Sequence, residues 1–302
     1  MTKKWKKLLV CALSVAFSAA AFTACKNSQN PEHSGNGSEI VSPLPDGSGS
    51  SADGTGDNAT DNSGNSGNSG DSENGDKLDA PTVTPPTTPQ PQKAEYIRVT
   101  ASNVNIRSGA GTSYSVLGVA EKNTTYAVLE KKGNWYKTYY KNKIAYVYAE
   151  YAAVFSLQKS SDSKTEKVIE EGYKLLGVPY VYGAVRLHDG KGNMLGGFTA
   201  SKFDCSSLVQ YVFYKGANRL LDVTTRTQVT QGQYVPRENL RRGDCIYFTN
   251  EDRKNKTGIE RVGHVAIYLG DNYILHTASD YARIEKMSTA RWNFYIEARR
   301  FL

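Results

Sequence analysis

A long segment without aromatic residues places the strongest constraint on how this chain of 302 residues can fold. Residues 26–93 contain no Phe, Trp or Tyr and hold eight of the ten prolines. They carry three Lys against ten Asp or Glu, a net charge of −7. Such a segment cannot bury enough apolar surface to offset the conformational entropy lost on folding, so we expect it to be disordered. The foldable part is therefore limited to residues 94–302, enough for one small and one medium domain.

The N-terminus has the pattern of an export signal. Four lysines precede the apolar run Leu8–Ala21, which is short for a membrane span. The run leads into Phe22-Thr23-Ala24-Cys25, which resembles a bacterial lipoprotein cleavage box. This resemblance implies that residues 1–24 are a signal peptide and that Cys25 becomes a lipidated N-terminus at the outer face of the cell membrane. Residues 25–93 would then tether the folded part within the cell wall; cleavage with release is the alternative.

Residues 94–156 contain short runs of alternating apolar and polar residues, separated by turn signals. Five short strands at this spacing are typical of a small β-barrel. Three segments in this stretch resemble the bacterial SH3-like domain, namely Asn105–Gly109, Gly133–Lys137 and Ala145–Val147. The resemblance implies a barrel that binds peptidoglycan or positions an attached enzyme.

A cysteine lies at the predicted start of a helix. Four apolar residues after it share one helical face: Leu208, Val209, Val212 and Phe213. Asp204 can cap this helix, which places Cys205 in its first turn. The N–H groups and dipole of a first turn favour a thiolate, lower the pKa of such a cysteine and can hold an oxyanion. A buried structural cysteine is the alternative, and we expect that role for Cys245. An earlier helix is predicted to begin at the capping-box pattern Ser163–Glu166 and to end at Gly177.

Two histidines flank a predicted β-hairpin. Because side chains alternate along a strand, His264 and His276 share a face only if the connecting loop has an odd number of residues. A three-residue loop over residues 270–272 makes the two imidazoles diagonal neighbours, whereas a two-residue loop would separate them. A nucleophile, a base and an orienting third group form the general pattern of covalent catalysis.

Five segments, taken in order, resemble the NlpC-type cell-wall cysteine peptidases, a papain-like family: Gly177–Tyr180, Phe203–Ser206, Arg242–Asp244, Gly263–Tyr268 and Ile274–His276. The resemblance implies that residues 157–302 form an α+β catalytic domain that follows the SH3-like barrel. It also implies an enzyme that cuts peptidoglycan stem peptides, typically between γ-D-glutamate and the diamino acid.

The same resemblance assigns roles to individual residues. Cys205 would be the nucleophile, His264 the base and His276 the polar third member. Tyr180, Asp204 and Ser206 would contact the oxyanion or the bound peptide.

Several residues depart from the family pattern and keep other functions open. Tyr182, Ala184 and Ser207 stand where the family usually has Trp, Gly and Gly. A non-catalytic wall-binding protein is one alternative, and a cysteine amidase or acyltransferase on the same fold is another. Residues 185–199 resemble an insertion, and we expect them to form a loop over the cleft.

The remaining expectations concern partners. The four His show no helix-borne metal spacing, so neither a metal nor another cofactor is expected. Residues 94–302 carry 30 Lys or Arg against 20 acids, a balance that suits anionic wall polymers. Export and the lack of a recognition motif argue against nucleic acid, and the oligomeric state has no signal in the sequence.

Overall fold

The protein has a mixed α+β fold, and the computed structural model describes residues 92–302. The predicted signal peptide, Cys25 and nearly all of the predicted linker lie outside the described residues. The first eight strands are β1 (Lys93–Val99), β2 (Val104–Arg107), β3 (Val116–Ala120), β4 (Thr125–Ala127), β5 (Glu130–Lys132), β6 (Trp135–Tyr140), β7 (Lys143–Tyr148) and β8 (Ala152–Gln158).

The second half of the described chain contains four α-helices and six more strands. In chain order these are α1 (Ser163–Lys174), α2 (Cys205–Ala217), α3 (Thr225–Gln228), β9 (Gln233–Val235), β10 (Cys245–Phe248), β11 (His264–Gly270), β12 (Tyr273–Ala278), β13 (Tyr281–Lys286), α4 (Thr289–Trp292) and β14 (Tyr295–Arg300). Within residues 92–302, no helix has the length and apolar character needed to cross a bilayer.

The strands form two antiparallel sheets that do not follow the predicted division of the chain. The nine-stranded sheet has the order β8-β1-β4-β13-β12-β11-β10-β14-β9, and the five-stranded sheet has the order β3-β2-β7-β6-β5. The two halves of the large sheet meet where Thr125 of β4 lies opposite Ile284 of β13. The barrel region and the remainder therefore share one sheet, and their apolar side chains share one buried core.

The predicted barrel region has eight strands where the sequence predicted five. Strand β5 has three exposed residues and therefore shows no alternation. Strand β8 pairs with β1 along its whole length and crosses the predicted domain boundary at residue 156. Both strands depend on pairing with another strand, and such pairing is not visible in a local pattern. The boundary between residues 94–156 and 157–302 stays a prediction.

Helix α1 begins one residue earlier than its capping pattern predicts. Asp162, not Ser163, is the N-cap, and its carboxylate accepts two backbone N–H groups of the first turn. Both residue types are good N-caps, so the pattern alone favours neither. Glu166 closes no capping box and instead pairs with the guanidinium of Arg242, with Oε1 and Nε 2.7 Å apart.

Helix α2 confirms its predicted start. Asp204 is the N-cap: Oδ1 accepts the Ser207 N–H at 2.8 Å, and Ser207 Oγ accepts the Asp204 N–H at 2.9 Å. This capping box gives a structural reason for a Ser at position 207. Cys205 is the first residue of the helix, and the predicted apolar face of the helix is buried.

Candidate active site

A cleft lies at the start of α2, where that helix faces β11. Cys205, His264 and Tyr180 all line it. Other parts of its wall come from Phe248 at the end of β10 and from Arg291 in α4. The structure thus brings the predicted nucleophile, the predicted base and the predicted tyrosine to one concave surface.

The turn between β11 and β12 differs from the predicted three-residue loop. It contains two residues, Asp271 and Asn272, whose φ angles are 47° and 65°. A β-bulge between Tyr268 and Gly270 adds one residue to β11 just before this turn. The bulge compensates for the shorter turn, so the two strands keep the register that a three-residue loop predicts.

The two histidines consequently lie on the same face and are joined by a hydrogen bond. Nε2 of His264 lies 2.9 Å from Nδ1 of His276. Burial lowers the pKa of both rings, and for His264 the neighbouring His276 and Arg291 lower it further. Both imidazoles are therefore neutral at neutral pH, so that His264 can accept a proton.

A carboxylate and a guanidinium extend the His264–His276 pair into a row of four side chains, and the sequence did not reveal either of them. Oε1 of Glu285 lies 3.4 Å from Nε2 of His276 and 2.6 Å from Nη2 of Arg291. Burial alone would raise the pKa of Glu285, but His276, Arg291 and Arg283 outweigh it and lower that pKa to about 2. The available signal was the spacing of Arg283 and Glu285, which lie two residues apart on one face of β13, the strand that pairs with the strand of His276.

The environment of Cys205 contradicts the expectation of a lowered thiol pKa. Burial, followed by the negative charge of Asp204, raises the pKa of this thiol to about 12. Backbone N–H groups of Val265 and Ser206 and the charge of Arg186 act in the opposite direction, and their effect is smaller. The expectation was wrong because it considered the helix N-terminus without the capping carboxylate and the surrounding protein. The resting thiol is protonated at neutral pH.

Asp204 and Ser206 occupy positions behind the helix start and do not line the cleft. Both are only 4% exposed. Oδ2 of Asp204 pairs with Nη2 of Arg186 at 2.8 Å and accepts the Gly183 N–H at 3.2 Å. The Ser206 hydroxyl lies within hydrogen-bond distance of two acceptors, Asp204 Oδ1 at 3.1 Å and the Val223 carbonyl oxygen at 3.2 Å. The structure therefore places these two predicted substrate contacts among internal partners, where their side chains position the first turn of α2.

None of residues 185–199 lines the cleft, contrary to the expected loop over it. His188 is fully buried, and its ring lies 5.3 Å from the ring of Tyr214 on α2. Its carbonyl oxygen accepts from the amide of Gln210, also on α2. The segment therefore packs along α2. It contributes to the site through Arg186, whose Nη2 contacts Asp204 and Ser206.

No candidate metal site occurs in the described part of the chain, where His, Cys, Asp and Glu side chains form no group of three or more that could hold an ion. Cys205 and Cys245 are free thiols, and Cys245 is fully buried in β10. The cleft therefore combines a helix-start cysteine with a hydrogen-bonded histidine pair on an antiparallel sheet, within a mixed α+β fold.

Residues 177–300 match the NlpC/P60 family, and residues 102–153 match the bacterial SH3 domain. The chain therefore contains an NlpC/P60 domain preceded by a bacterial SH3 domain, and both predicted resemblances are confirmed.

Two relatives and one solved structure illustrate the match. Gamma-DL-glutamyl hydrolase of Bacillus subtilis (strain 168) is 34% identical over 126 residues, 41% of this chain and 26% of that protein. Murein DD-endopeptidase MepS/Murein LD-carboxypeptidase of Escherichia coli (strain K12) is 38% identical over 110 residues, 36% of this chain and 54% of that protein. The match thus spans about a quarter of the first relative and half of the second. The crystal structure of an NlpC/P60 family protein from Bacillus cereus ATCC 10987 has 23% identity and a TM-score of 0.37, covering 69% of this chain and 64% of that chain.

Proposed function

We propose that this protein is a cell-wall hydrolase, a cysteine endopeptidase that cleaves peptidoglycan stem peptides between γ-D-glutamate and the diamino acid. The observation that carries the proposal is the hydrogen-bonded pair His264–His276 at a cleft that also contains the Cys205 thiol. The name of the Bacillus subtilis relative supports hydrolysis at a glutamyl bond.

The proposed reaction begins with proton transfer inside the cleft. His276 holds Nε2 of His264, which leaves Nδ1 of His264 to accept the proton of the Cys205 thiol. The sulfur attacks the γ-glutamyl carbonyl carbon and forms a C–S bond. The C–N bond then breaks as His264 gives the proton to the leaving amine, and water hydrolyses the thioester to a carboxylic acid and the free thiol.

The oxyanion of this reaction has two proposed donors. The backbone N–H of Cys205 belongs to the first turn of α2, where N–H groups have no acceptor within the helix. Tyr180 lines the same cleft. Donors fixed in place before the reaction stabilise the developing negative charge at little reorganisation cost. Asp204 and Ser206 contribute by holding this turn.

The proposed location follows from the N-terminal pattern. Lipid on Cys25 would anchor the protein to the outer face of the cell membrane. As a coil, the 68 residues from 26 to 93 would span about 45 Å. The proposed partners are therefore a membrane, through the lipid, and the peptide stems of the wall above it.

The decisive experiment compares the wild-type chain with two cysteine variants on defined muropeptides, read by mass spectrometry. We expect wild type and Cys245→Ala to cut between γ-D-glutamate and the diamino acid, and Cys205→Ala to leave the stems intact. Cys245 is the matched control because it is the other free thiol of the described residues and does not line the cleft.

Two results would contradict the proposal. Release of the whole stem from the sugar by wild type would indicate an amidase. Intact stems with all three proteins, together with binding to wall sacculi, would indicate a non-catalytic wall-binding protein.

A further inference from the structure

The third member of the proposed catalytic row is itself held by two further side chains. His276 is 1% exposed, and its Nε2 points away from His264 toward Glu285. In the β12–β13 pairing His276 lies opposite Arg283, so Glu285, two residues further on, is its diagonal neighbour on the same face. Arg291 from α4 contacts the same carboxylate oxygen, Oε1.

We propose that Glu285, held by Arg291, is a positioning residue that sets the tautomers of His276 and His264 and so directs the lone pair of His264 Nδ1 toward the Cys205 thiol. The effect of these tautomers on catalysis rests on the proposed function, but the tautomers themselves exist with or without a substrate. Three proton positions follow from one another.

The first position is set by the carboxylate. Nε2 of His276 lies 3.4 Å from Oε1 of Glu285 and makes no well-aligned hydrogen bond, so the carboxylate acts on it through charge. An N–H at Nε2 places positive charge next to the negative oxygen, whereas an unprotonated Nε2 would place a lone pair against it. Glu285 is ionised throughout the neutral range, because its interaction with His276 and the charges of Arg291 and Arg283 outweigh burial and lower its pKa to about 2. His276 is therefore protonated at Nε2.

The second and third positions follow because each ring is neutral. A neutral imidazole has one N–H, so Nδ1 of His276 is an acceptor. Nε2 of His264, 2.9 Å away, must then be the donor. His264 consequently has an unprotonated Nδ1, the state that a general base requires. The opposite tautomer of His276 would donate to His264, place the proton of His264 on Nδ1 and prevent it from accepting the thiol proton.

The charges around the row allow this role without making the histidines permanently cationic. The groups that face His276 are His264 from β11, Glu285 and Arg283 from β13, and Arg291 from α4. Glu285 raises the pKa of both histidines, whereas Arg291 lowers it for both. Arg291 thus both fixes the carboxylate and offsets its charge, so the rings stay neutral while their proton positions are determined.

A purely structural role for the Glu285–Arg291 ion pair would lead to a different expected result. The side chains of Glu285 and Arg291 are 29% and 15% exposed, and solvent-accessible ion pairs contribute little to stability. If that were the sole role, removing the carboxylate would change stability slightly and leave the tautomers as they are.

The test uses the full chain with Glu285→Met, which removes the acceptor, and Glu285→Gln, which keeps an acceptor oxygen without the charge. Glu297→Met is the matched control, because Glu297 also pairs with an arginine, Arg299, and is 25% exposed. Long-range 1H–15N correlation spectra report which nitrogen of each imidazole is protonated, and the chain has only four histidines to assign. Reaction of Cys205 with iodoacetamide against pH reports the base without any substrate.

We expect wild type and Glu297→Met to show Nε2–H tautomers for His264 and His276. Glu285→Met should show a mixed or reversed tautomer, react with iodoacetamide at least tenfold more slowly at pH 7 and lose kcat on a muropeptide by a similar factor with little change in KM. Glu285→Gln should fall between them. Unchanged tautomers and alkylation rates in Glu285→Met would overturn the inference. A wild-type chain that cuts no muropeptide, yet shows the tautomer change, would overturn the proposed function only.

Discussion

The negative charge of Asp204 acts on the chemistry of the residue that follows it. Its carboxylate caps α2 and pairs with Arg186, so it favours the local fold. The same charge raises the pKa of Cys205 and opposes formation of a thiolate. The thiol is therefore protonated at rest, and in the proposed reaction the thiolate forms only when His264 takes the proton.

This conflict predicts that Asp204→Asn increases the reactivity of the thiol. Asn is as good an N-cap as Asp, so α2 keeps its start. Loss of the charge leaves Arg186 unopposed, and both changes lower the pKa of Cys205. We expect alkylation by iodoacetamide at pH 8 to be several-fold faster and the free energy of unfolding to fall by about 2 kcal/mol for the lost charged hydrogen bonds.

The control for this prediction is Asp189→Asn, since Asp189 is partly exposed and hydrogen-bonds to Asn193 in the segment that packs along α2. It should alkylate at the wild-type rate. Equal rates for both variants would show that the Asp204 charge does not govern the thiol.

At the scale of single elements, helix α2 and the β11–β12 hairpin differ in how much the sequence reveals. Helix α2 was predicted correctly because its signals are local, namely a capping Asp204 and an apolar face. The hairpin register was predicted correctly, but from a three-residue loop that the structure replaces with a two-residue turn and a bulge. A bulge changes the residue count of one strand without a distinctive sequence pattern, so the two solutions look alike. Glu285 was missed because its position next to His276 depends on the register of the β12–β13 hairpin.

The position of α2 depends on a close contact with α1. A Cβ atom added at Gly216 would lie 2.5 Å from the backbone N and Cα atoms of Val168. Backbone atoms cannot rotate aside as a side chain can, so the helices would have to separate. We expect Gly216→Ala to lower the free energy of unfolding by about 1–3 kcal/mol and to reduce the proposed activity, since Cys205 begins the same helix.

Gly196→Ala is the control for this contact, because a Cβ there meets no atom within 4 Å. It should be neutral or stabilise by about 0.5 kcal/mol through the unfolded chain. Urea unfolding followed by circular dichroism measures both variants. A Gly216→Ala protein as stable as Gly196→Ala would show that the helix contact tolerates a methyl group.

At the scale of the whole molecule, a buried polar network joins the barrel region to the candidate catalytic half. The Arg242 guanidinium makes two contacts with Glu166 of α1, at 2.7 and 3.1 Å, and donates to the hydroxyl groups of Tyr96 on β1 and Tyr173 on α1. Tyr96 and Tyr173 also contact each other through their hydroxyl groups. The network, together with the β4–β13 pairing, makes the barrel region part of the same folded body.

The sequence predicted individual strands and helices of this folded body but not the contacts that join its two halves. Alternating runs indicated several of the strands. The side-chain partners of Arg242 lie 69, 76 and 146 residues away along the chain, at separations where no local pattern operates. Pairing across such distances is decided by the packing of the whole fold.

A shared sheet and a shared buried network predict that both halves unfold together. Trp135 in β6 and Trp292 in α4 report on the two halves separately when the tryptophans of the full chain carry fluorine and are followed by 19F NMR in urea. We expect both resonances to change at the same urea concentration.

Arg242→Met leaves the Glu166 carboxylate without its partner, so it should lower the free energy of unfolding by about 3–5 kcal/mol and shift both transitions equally. Arg253→Met, which breaks an exposed pair with Glu260, should cost less than about 1 kcal/mol. Two separate transitions, or an Arg242→Met shift confined to Trp292, would mean that the barrel region folds as an independent module despite the common sheet.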